Sequence, residues 1–324
     1  MTEAKSVFDY HIVDGQVTTQ KLASSAVTYD KLATHVGKAY FVNKALGADT
    51  NDGLTPATAL ATVAAAEDKT TTGKHDTVFL IASATQDSVA ATIAWDKSYT
   101  HLLGIGPPFP GIGQRSRLAS SVAAPALTIT GSGCIFANLQ VQNSYAGASG
   151  GVLVDGAYNY FENVYFNGMN GAGAADAAGS YCLSVTKAEN YFRNCTIGSC
   201  QTVRTSTNSE LLISTGSQTF EGCRIQKYSE TATNFLVQLV AGTAGMSLLH
   251  FKKCVFYNQT VNWATGITNV FNVAQTGSHY VLLDGCVAIG GAGAGITWAD
   301  TATHVYQSNA NPGTGGSIVS AVAS

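Results

Sequence analysis

The segment Tyr191-Phe-Arg-Asn-Cys-Thr-Ile197 decides the fold of this 324-residue chain, because five other segments align with it without gaps. Each has an apolar anchor at its second position and apolar residues at its fifth and seventh. The other segments are 135–141, 160–166, 219–225, 250–256 and 282–288. The anchors are Phe136, Phe161, Phe192, Phe220, Phe251 and Leu283, at successive separations of 25, 31, 28, 31 and 32 residues. This long and variable spacing predicts a coil of three short strands with loops of unequal length. We therefore predict an all-β, right-handed parallel β-helix (a solenoid), since parallel crossovers are almost always right-handed.

The fourth position of each segment predicts a bend. Side chains on a strand alternate between its two faces. Here, however, the apolar residues fall at the anchor and then three and five positions later, so the alternation breaks once. The residues at the bend are Asn138, Asn163, Asn194, Gly222, Lys253 and Gly285. Asn and Gly most readily accept a left-handed backbone conformation, and Lys253 is the exception.

The fifth position predicts an inward column of small apolar side chains. In four consecutive segments it holds Cys195, Cys223, Cys254 and Cys286. Stacked cysteines could be metal ligands or redox partners, but small hydrophobic residues filling a narrow core are the better interpretation. Apolar surroundings would raise the thiol pKa and leave these residues inert.

The third position predicts an outward row of charges. From the second segment onward it reads Glu162, Arg193, Glu221, Lys252 and Asp284, with the sign alternating at every step. Opposite charges on neighbouring strands stabilise a sheet and like charges oppose it. We therefore predict an exposed ion-pair ladder, whose acids are poor candidates for a catalytic pair.

The stretch Gly47-Ala-Asp-Thr-Asn-Asp-Gly53-Leu-Thr-Pro56 lies before the aligned segments. It resembles the sequence that leads into the capping helix of pectate-lyase-like β-helix proteins. The resemblance covers residues 40 to 310 and implies that 76–82 and 100–106 are the first rungs of the solenoid. It specifies the fold and not the activity, since this fold includes lyases, hydrolases, adhesins and inert spikes. Asp49, Asn51 and Asp52 are either calcium ligands or an Asx-rich turn before the helix.

A shorter repeat lies at the N-terminus, where Val17-Thr-Thr-Gln-Lys-Leu-Ala23 and Val27-Thr-Tyr-Asp-Lys-Leu-Ala33 match at a period of ten. These units resemble those near the ends of bacteriophage tail-fibre and other virion appendage proteins. The resemblance implies an attachment region that is often trimeric, and a solvated linker is the alternative. The candidate attachment residues are Val17, Lys21, Leu22, Val27, Lys31 and Leu32.

Composition argues against several classes of function. Charged residues make up 11% of the chain and the net charge is −3, with no cluster of Lys and Arg for phosphate binding, so we expect no nucleic-acid partner. There is no apolar run of membrane-spanning length, and residues 1–9 lack the apolar core of a signal peptide. Seven cysteines without a CxxC pair indicate a reducing compartment during synthesis, which is the host cytoplasm for a viral protein.

Motifs for catalysis or metal binding are weak. Glycoside hydrolysis needs two carboxyl groups at a defined separation, yet acids are sparse in the solenoid and three of them belong to the charged row. The histidines lack zinc-binding spacing, and the glycine-rich run 290–295 lacks the lysine of a phosphate loop. We expect no cofactor and no metal. The aromatic residues that could stack on sugar rings or pack against a subunit are Tyr145, Tyr158, Trp263 and Trp298.

Four parts are predicted: an attachment arm (1–38), a lead-in segment with a capping helix (39–75), the β-helix (76–310) and a C-terminal tail (311–324). The resemblances imply a non-enzymatic structural protein on the surface of a tailed-phage virion, either a capsid decoration or a short spike or fibre. We expect a homotrimer that docks on the major capsid protein or on a tail or baseplate protein. The alternative is a tailspike that binds host surface glycan or depolymerises it as a lyase or glycoside hydrolase.

Overall fold

The computed structural model describes residues 37–106, 116–147, 150–171, 173, 177–214, 216–240, 247–260, 266–272, 279–291, 296–299, 305–308 and 319–320. The candidate attachment residues Val17, Lys21, Leu22, Val27, Lys31 and Leu32 lie outside these ranges, as does Trp263.

Three β-sheets wrap around one core, and successive coils of the chain contribute one strand to each. Sheet 1 consists of Ala39–Val42, Thr77–Ile81, His101–Ile105, Ile135–Ala137, Tyr160–Glu162, Asn190–Arg193, Gln218–Glu221, Ser247–Lys252, His279–Asp284, Val305–Gln307 and Val319–Ser320. Sheet 2 consists of Asp87–Val89, Arg117–Ser120, Gln140–Asn143, Tyr165–Asn167, Thr196–Ile197, Arg224–Tyr228, Val255–Gln259 and Val287–Ile289. Sheet 3 consists of Ile93–Trp95, Leu127–Ile129, Gly150–Val154, Tyr181–Val185, Ser209–Ile213, Val237–Leu239, Asn269–Asn272 and Thr297–Ala299. The right-handed parallel β-helix predicted from the sequence is confirmed.

Each coil passes from sheet 3 to sheet 1 and then to sheet 2. The connection from sheet 1 to sheet 2 has two residues in all six aligned segments, whereas the connection from sheet 2 to sheet 3 varies widely in length. All six residues predicted at the bend have a positive φ, between 51° and 63°. Lys253 was expected to be the exception, but its φ is 52°. The Lys253 amide donates to the Asp284 carbonyl of the next coil. The Lys252 carbonyl accepts from the amide of Gly222, the corner residue of the preceding coil. Hydrogen bonds to both neighbouring coils therefore hold Lys253 in the left-handed conformation.

The anchors form a continuous stack inside the helix. The rings of Phe161, Phe192, Phe220 and Phe251 lie nearly parallel, with centroids 4.6–4.8 Å apart, and Phe136 stacks on Phe161 at 5.1 Å. All are buried. The stacking follows from the register, because each anchor is the pairing partner of the next along sheet 1.

The N-terminal end of the solenoid is closed by a short helix, Val63–Lys69, preceded by a 3₁₀ turn, Pro56–Thr58. Thr62 caps the helix by accepting a hydrogen bond from the Ala65 amide. Val63 and Ala66 face the core and are fully buried. No helix in the described part of the chain is long and apolar enough to cross a membrane.

Candidate functional site

The outer face of sheet 1 carries the row of charges predicted from the sequence. Register places Glu162, Arg193, Glu221, Lys252 and Asp284 opposite one another on successive strands. Within the described residues, two ion pairs form in this row. Arg193 Nη1 lies 3.8 Å from Glu162 Oε1, and Lys252 Nζ lies 3.2 Å from Glu221 Oε1. The row is therefore two separate pairs rather than an unbroken ladder.

Tyrosines beside the row account for the break. Tyr160 and Tyr191 stack with their centroids 5.7 Å apart, and each hydroxyl donates to a carboxylate, Tyr160 to Glu162 and Tyr191 to Glu221. The hydrogen bond from Tyr191, followed by that from Lys252, lowers the pKa of Glu221. The same bond to Glu221 raises the pKa of Tyr191 to about 12.

Asp284 ends the row differently from the prediction. Its Oδ1 accepts a hydrogen bond of 2.8 Å from the Ser308 hydroxyl on the next coil, instead of forming an ion pair with Lys252. The carboxylates of this face are thus engaged by tyrosine, serine, lysine or arginine.

The four cysteines of the inward column are buried behind sheet 1. Each thiol donates to backbone carbonyls; Cys195 and Cys223, for example, donate to Phe161 and Phe192. Burial raises the pKa of Cys223 well above its ordinary value. The pKa values of Cys254 and Cys286 are also raised, first by hydrogen bonding within the column and then by burial. The thiols of Cys223, Cys254 and Cys286 therefore remain protonated at neutral pH and are poor thiolate ligands or nucleophiles.

A buried polar cluster lies between sheets 2 and 3, and the sequence analysis did not anticipate it. It is made of Cys182, Arg204, Glu210 and Lys227, none of which has an exposed side chain. Arg204 Nε lies 3.0 Å from Glu210 Oε1, and the Cys182 thiol donates to Glu210 Oε2 at 2.8 Å. Arg204 also donates to the Met169 carbonyl, at 2.7 Å.

Lys227 is the least usual member of this buried cluster. Its Nζ donates to the carbonyls of Asn208 and Phe235. Burial lowers the pKa of Lys227 to about 7, although the nearby Glu210 opposes the shift. A half-neutral amine is a possible nucleophile, but this one is enclosed and no substrate can reach it. The cluster fills the corner as a charge-compensated structural element.

One sequence signal could have revealed part of this cluster. Ile225 is an inward position of an aligned segment, and alternation along the strand therefore turns Lys227 inward as well. Arg204 has no such signal, because it lies in a connection outside the repeat.

The acidic turn at residues 49–52 is occupied by protein donors. Asp49 accepts from the amides of Ala61 and Thr62, each at 2.9 Å, while Asp52 accepts from Leu54 and Thr58. Asn51 donates to the Ala59 carbonyl. This is the Asx-rich turn that was one of the two alternatives. The described residues contain no group of three or more His, Cys, Asp or Glu side chains suited to a metal ion.

Two histidines meet on the outer side of sheet 1. His75 Nδ1 lies 3.3 Å from His101 Nε2, and His101 Nδ1 accepts a hydrogen bond from the Ile135 amide. Burial, and then the proximity of His75, lower the pKa of His101. Accepting from the Ile135 amide requires an unprotonated Nδ1, so His101 is neutral in this arrangement.

Two further surfaces in the described part of the chain have no titratable side chain. A shallow pocket of about 320 Å³ on sheet 2 is lined by Gln86, Ser88, Ser120, Ser144 and small apolar neighbours, with no titratable side chain. On sheet 3 the outward row reads Thr128, Leu153, Ser184, Leu212 and Gln238, again without an acid or base.

The aromatic residues proposed for sugar stacking are in different surroundings. Tyr158 is 69% exposed. Trp298 packs edge-on against Phe256 at 5.6 Å, which is a core contact. Tyr145 is half-buried. Residues 292–295 of the glycine-rich run lie outside the described ranges, whereas Gly290 has a φ of 95° directly after the strand Val287–Ile289.

These features define a class: a right-handed parallel β-helix. No family model matches the chain. No curated protein matches it either.

Solved structures share its fold. A pectin methylesterase in complex with hexasaccharide VII is 12% identical, covers 77% of this chain and 80% of its own, and gives a TM-score of 0.51. A D178A mutant of pectin methylesterase in complex with hexasaccharide IV has the same identity and coverage, with a TM-score of 0.52. The ORF18 protein of Geobacillus virus E2 is 14% identical, covers 85% of this chain and 61% of its own, and gives a TM-score of 0.42. At 12% identity the likeness to the two pectin methylesterases establishes the fold alone.

Proposed function

We propose that this chain is a non-enzymatic structural protein on the surface of a tailed-phage virion. Residues 1–38 attach it, and the β-helix projects as a rigid body, in a homotrimer that docks on a capsid, tail or baseplate protein. The arm, with its two tandem repeats, supports the attachment role. The observation that carries the non-enzymatic role is the engagement of the carboxylates in the charged row of sheet 1, Glu162, Glu221 and Asp284.

That engagement matters because glycan cleavage on this fold would need acids free to act on a substrate. Hydrolysis requires one carboxyl group to donate a proton and another to attack or to activate water. Glu162 and Glu221 are each held by a cation and a tyrosine, and Asp155 lies 3.6 Å from Lys187 Nζ. Glu210 is buried. The lowered pKa of Glu221 makes this carboxyl group a poor proton donor.

A second candidate is adhesion to host surface glycan without cleavage. Tyr158 favours it, because its ring is open to solvent and lies close along the chain to Asp155, which pairs with Lys187. Aromatic faces bordered by polar groups are suited to stacking on sugar rings.

Incubation of the purified full-length protein with capsular and O-antigen polysaccharides separates these functions. We expect no release of reducing ends or unsaturated sugars. Their release would overturn the non-enzymatic proposal. Binding without release, abolished by Tyr158→Ala and retained by the control Tyr99→Ala, would establish adhesion.

Location is tested separately, by electron microscopy of intact phage particles labelled through this protein. We expect the label on the particle surface. Label that is found only on unassembled protein would contradict the virion role.

A further inference from the structure

The outer face of sheet 1 is largely apolar at the end where the chain enters it, apart from His75 and His101 at its margin. The first strands of the sheet carry outward side chains that form one patch. We call this the apolar patch, and its residues are Phe41, Phe79, Ile81, Leu103, Ile105 and Ile135. Phe41 and Phe79 stack with their centroids 5.5 Å apart. Ile105 is 46% exposed and Ile135 38% exposed.

The apolar patch ends abruptly. Along the column that starts at Phe41, the register runs through Phe79 and Leu103 to Ala137, after which Glu162 begins the charged row. The outer face of sheet 1 therefore has an apolar part and a charged, solvated part. Contiguous exposed apolar surface of this kind marks a contact site on a soluble protein.

Chain connectivity indicates which segment covers the apolar patch. The described residues begin at Gly37, directly before the first strand of sheet 1, so 36 residues of the arm start at the edge of this face. Leu32 precedes Ala39 by seven residues, which can span up to about 23 Å when extended. Phe41 and Leu103 are two strands apart, a distance of about 10 Å at the usual strand spacing. The second repeat can therefore reach the whole patch.

We propose that the second repeat of the arm, residues 27–33, packs on the apolar patch of its own chain through Val27 and Leu32. Docking of the second repeat closes only a short loop before the first strand of sheet 1. The conformational entropy lost on docking is therefore smaller than it would be for the more distant first repeat. The first repeat, residues 17–23, is left for an attachment partner. This contact would fix the direction in which the arm leaves the β-helix. The proposed contact does not depend on the proposed virion role.

Trypsin provides a matched test, because Lys21 and Lys31 occupy the same place in the two repeats and each is followed by leucine. In the full-length protein we expect cleavage after Lys31 to be about tenfold slower than after Lys21, since a docked segment must open before it is cut. Val27→Asp should bring cleavage after Lys31 to the rate at Lys21. The control Val17→Asp should leave cleavage after Lys31 slow. Equal rates at the two sites in the wild type, or no effect of Val27→Asp, would overturn the proposal.

Disulfide trapping identifies the chain that supplies the segment. The background is Cys200→Ser, which removes the half-buried cysteine among six buried ones. Leu32→Cys combined with Leu103→Cys should give an intrachain disulfide, seen as a cross-linked peptide in a protein of monomer mobility. Leu22→Cys with Leu103→Cys is the control and should give none. An interchain product from the first pair would show that a second copy covers the patch, and would overturn packing within one chain, as would the absence of any cross-link.

Discussion

Lys227 shows how far a single residue can depart from its ordinary behaviour inside this solenoid. Its amine is enclosed between two backbone carbonyls and lies near Glu210, which is itself paired with Arg204. A protonated Lys227 would leave an excess positive charge in the cluster. Burial therefore favours the neutral amine, and the protonation state of this residue is linked to the stability of the fold.

That linkage gives the first prediction. The pKa of Lys227 is about 7 in the folded protein and lies at the ordinary lysine value in the unfolded chain. Between these values the unfolded chain binds more protons, so the contribution to stability is full above the unfolded pKa and is lost as pH falls toward 7. Relative to Lys227→Met, the wild type should gain up to about 1.4 kcal/mol per pH unit as pH rises from about 7 to about 9. Urea denaturation at several pH values measures this difference, and a pH-independent difference would contradict it.

Arg193 carries the second prediction at this scale. The substitution Arg193→Glu would place an acid between Glu162 and Glu221, which makes three acids in succession. We expect a lower melting temperature at low ionic strength, largely restored by salt, because these charges are exposed and are screened by ions. The control is Arg224→Glu, at an exposed position on sheet 2. The same loss in both variants, or a loss that salt does not relieve, would argue against the two ion pairs.

The repeated segments explain why much of the fold could be predicted at the scale of the element. An anchor, a corner and an inward column recur in fixed order, and each rung meets the same neighbours in the next. The buried position of Phe192 and the left-handed corner at Asn194 could therefore be predicted from the sequence. The Tyr191–Glu221 hydrogen bond could not be predicted in this way, because it depends on which rotamers the neighbouring side chains adopt.

The aromatic stack gives a prediction about packing. Phe192 is fully buried between Phe161 and Phe220, at 4.6 Å from each. Phe192→Ala should lower the free energy of unfolding by about 3–5 kcal/mol, through lost burial and the cavity left behind. Phe192→Leu retains most of the volume and should cost less than about 2 kcal/mol. Denaturant unfolding compares the two, and similar losses would show that the stack has no special role.

The corner at Lys253 gives a prediction of increased stability. A left-handed conformation costs a side chain with a Cβ roughly 1–2 kcal/mol. Glycine avoids this cost but loses more entropy on folding. Lys253→Gly should therefore stabilise the protein by about 0.5–1 kcal/mol. Lys74→Gly, at an exposed turn residue whose φ is not positive, should stabilise nothing. A loss of stability in Lys253→Gly would contradict the interpretation.

At the scale of the whole molecule, sequence periodicity reveals the solenoid but not what its connections bring together. Cys182, Arg204, Glu210 and Lys227 come from two consecutive coils and meet only because the coils stack. Arg204 belongs to a connection between sheets 2 and 3, and the length of this connection differs from coil to coil. Its position is fixed by the Glu210 carboxylate and the Met169 carbonyl, contacts that no spacing rule contains.

The assembly is the prediction that belongs to the whole molecule. We expect a solution mass three times the 33.6 kDa of the chain, measured by light scattering on the full-length protein. The double substitution Val17→Asp and Leu22→Asp in the first repeat should reduce it to one chain by placing charge in an apolar contact. The corresponding pair in the second repeat, Val27→Asp and Leu32→Asp, should leave a trimer whose arm is cut faster. A monomeric wild type would contradict the trimer.

The two-residue connection between sheets 1 and 2 also has a practical meaning. It is constant in length in the six aligned segments, whereas the connection between sheets 2 and 3 runs from 144–149 in one coil to 168–180 in the next. The stacked coils therefore set a regular spacing along the axis, and insertions are accommodated in the connection between sheets 2 and 3. A foreign peptide grafted after Asn167 should be displayed at a known height along the axis, while the same graft at Asn163 should prevent folding.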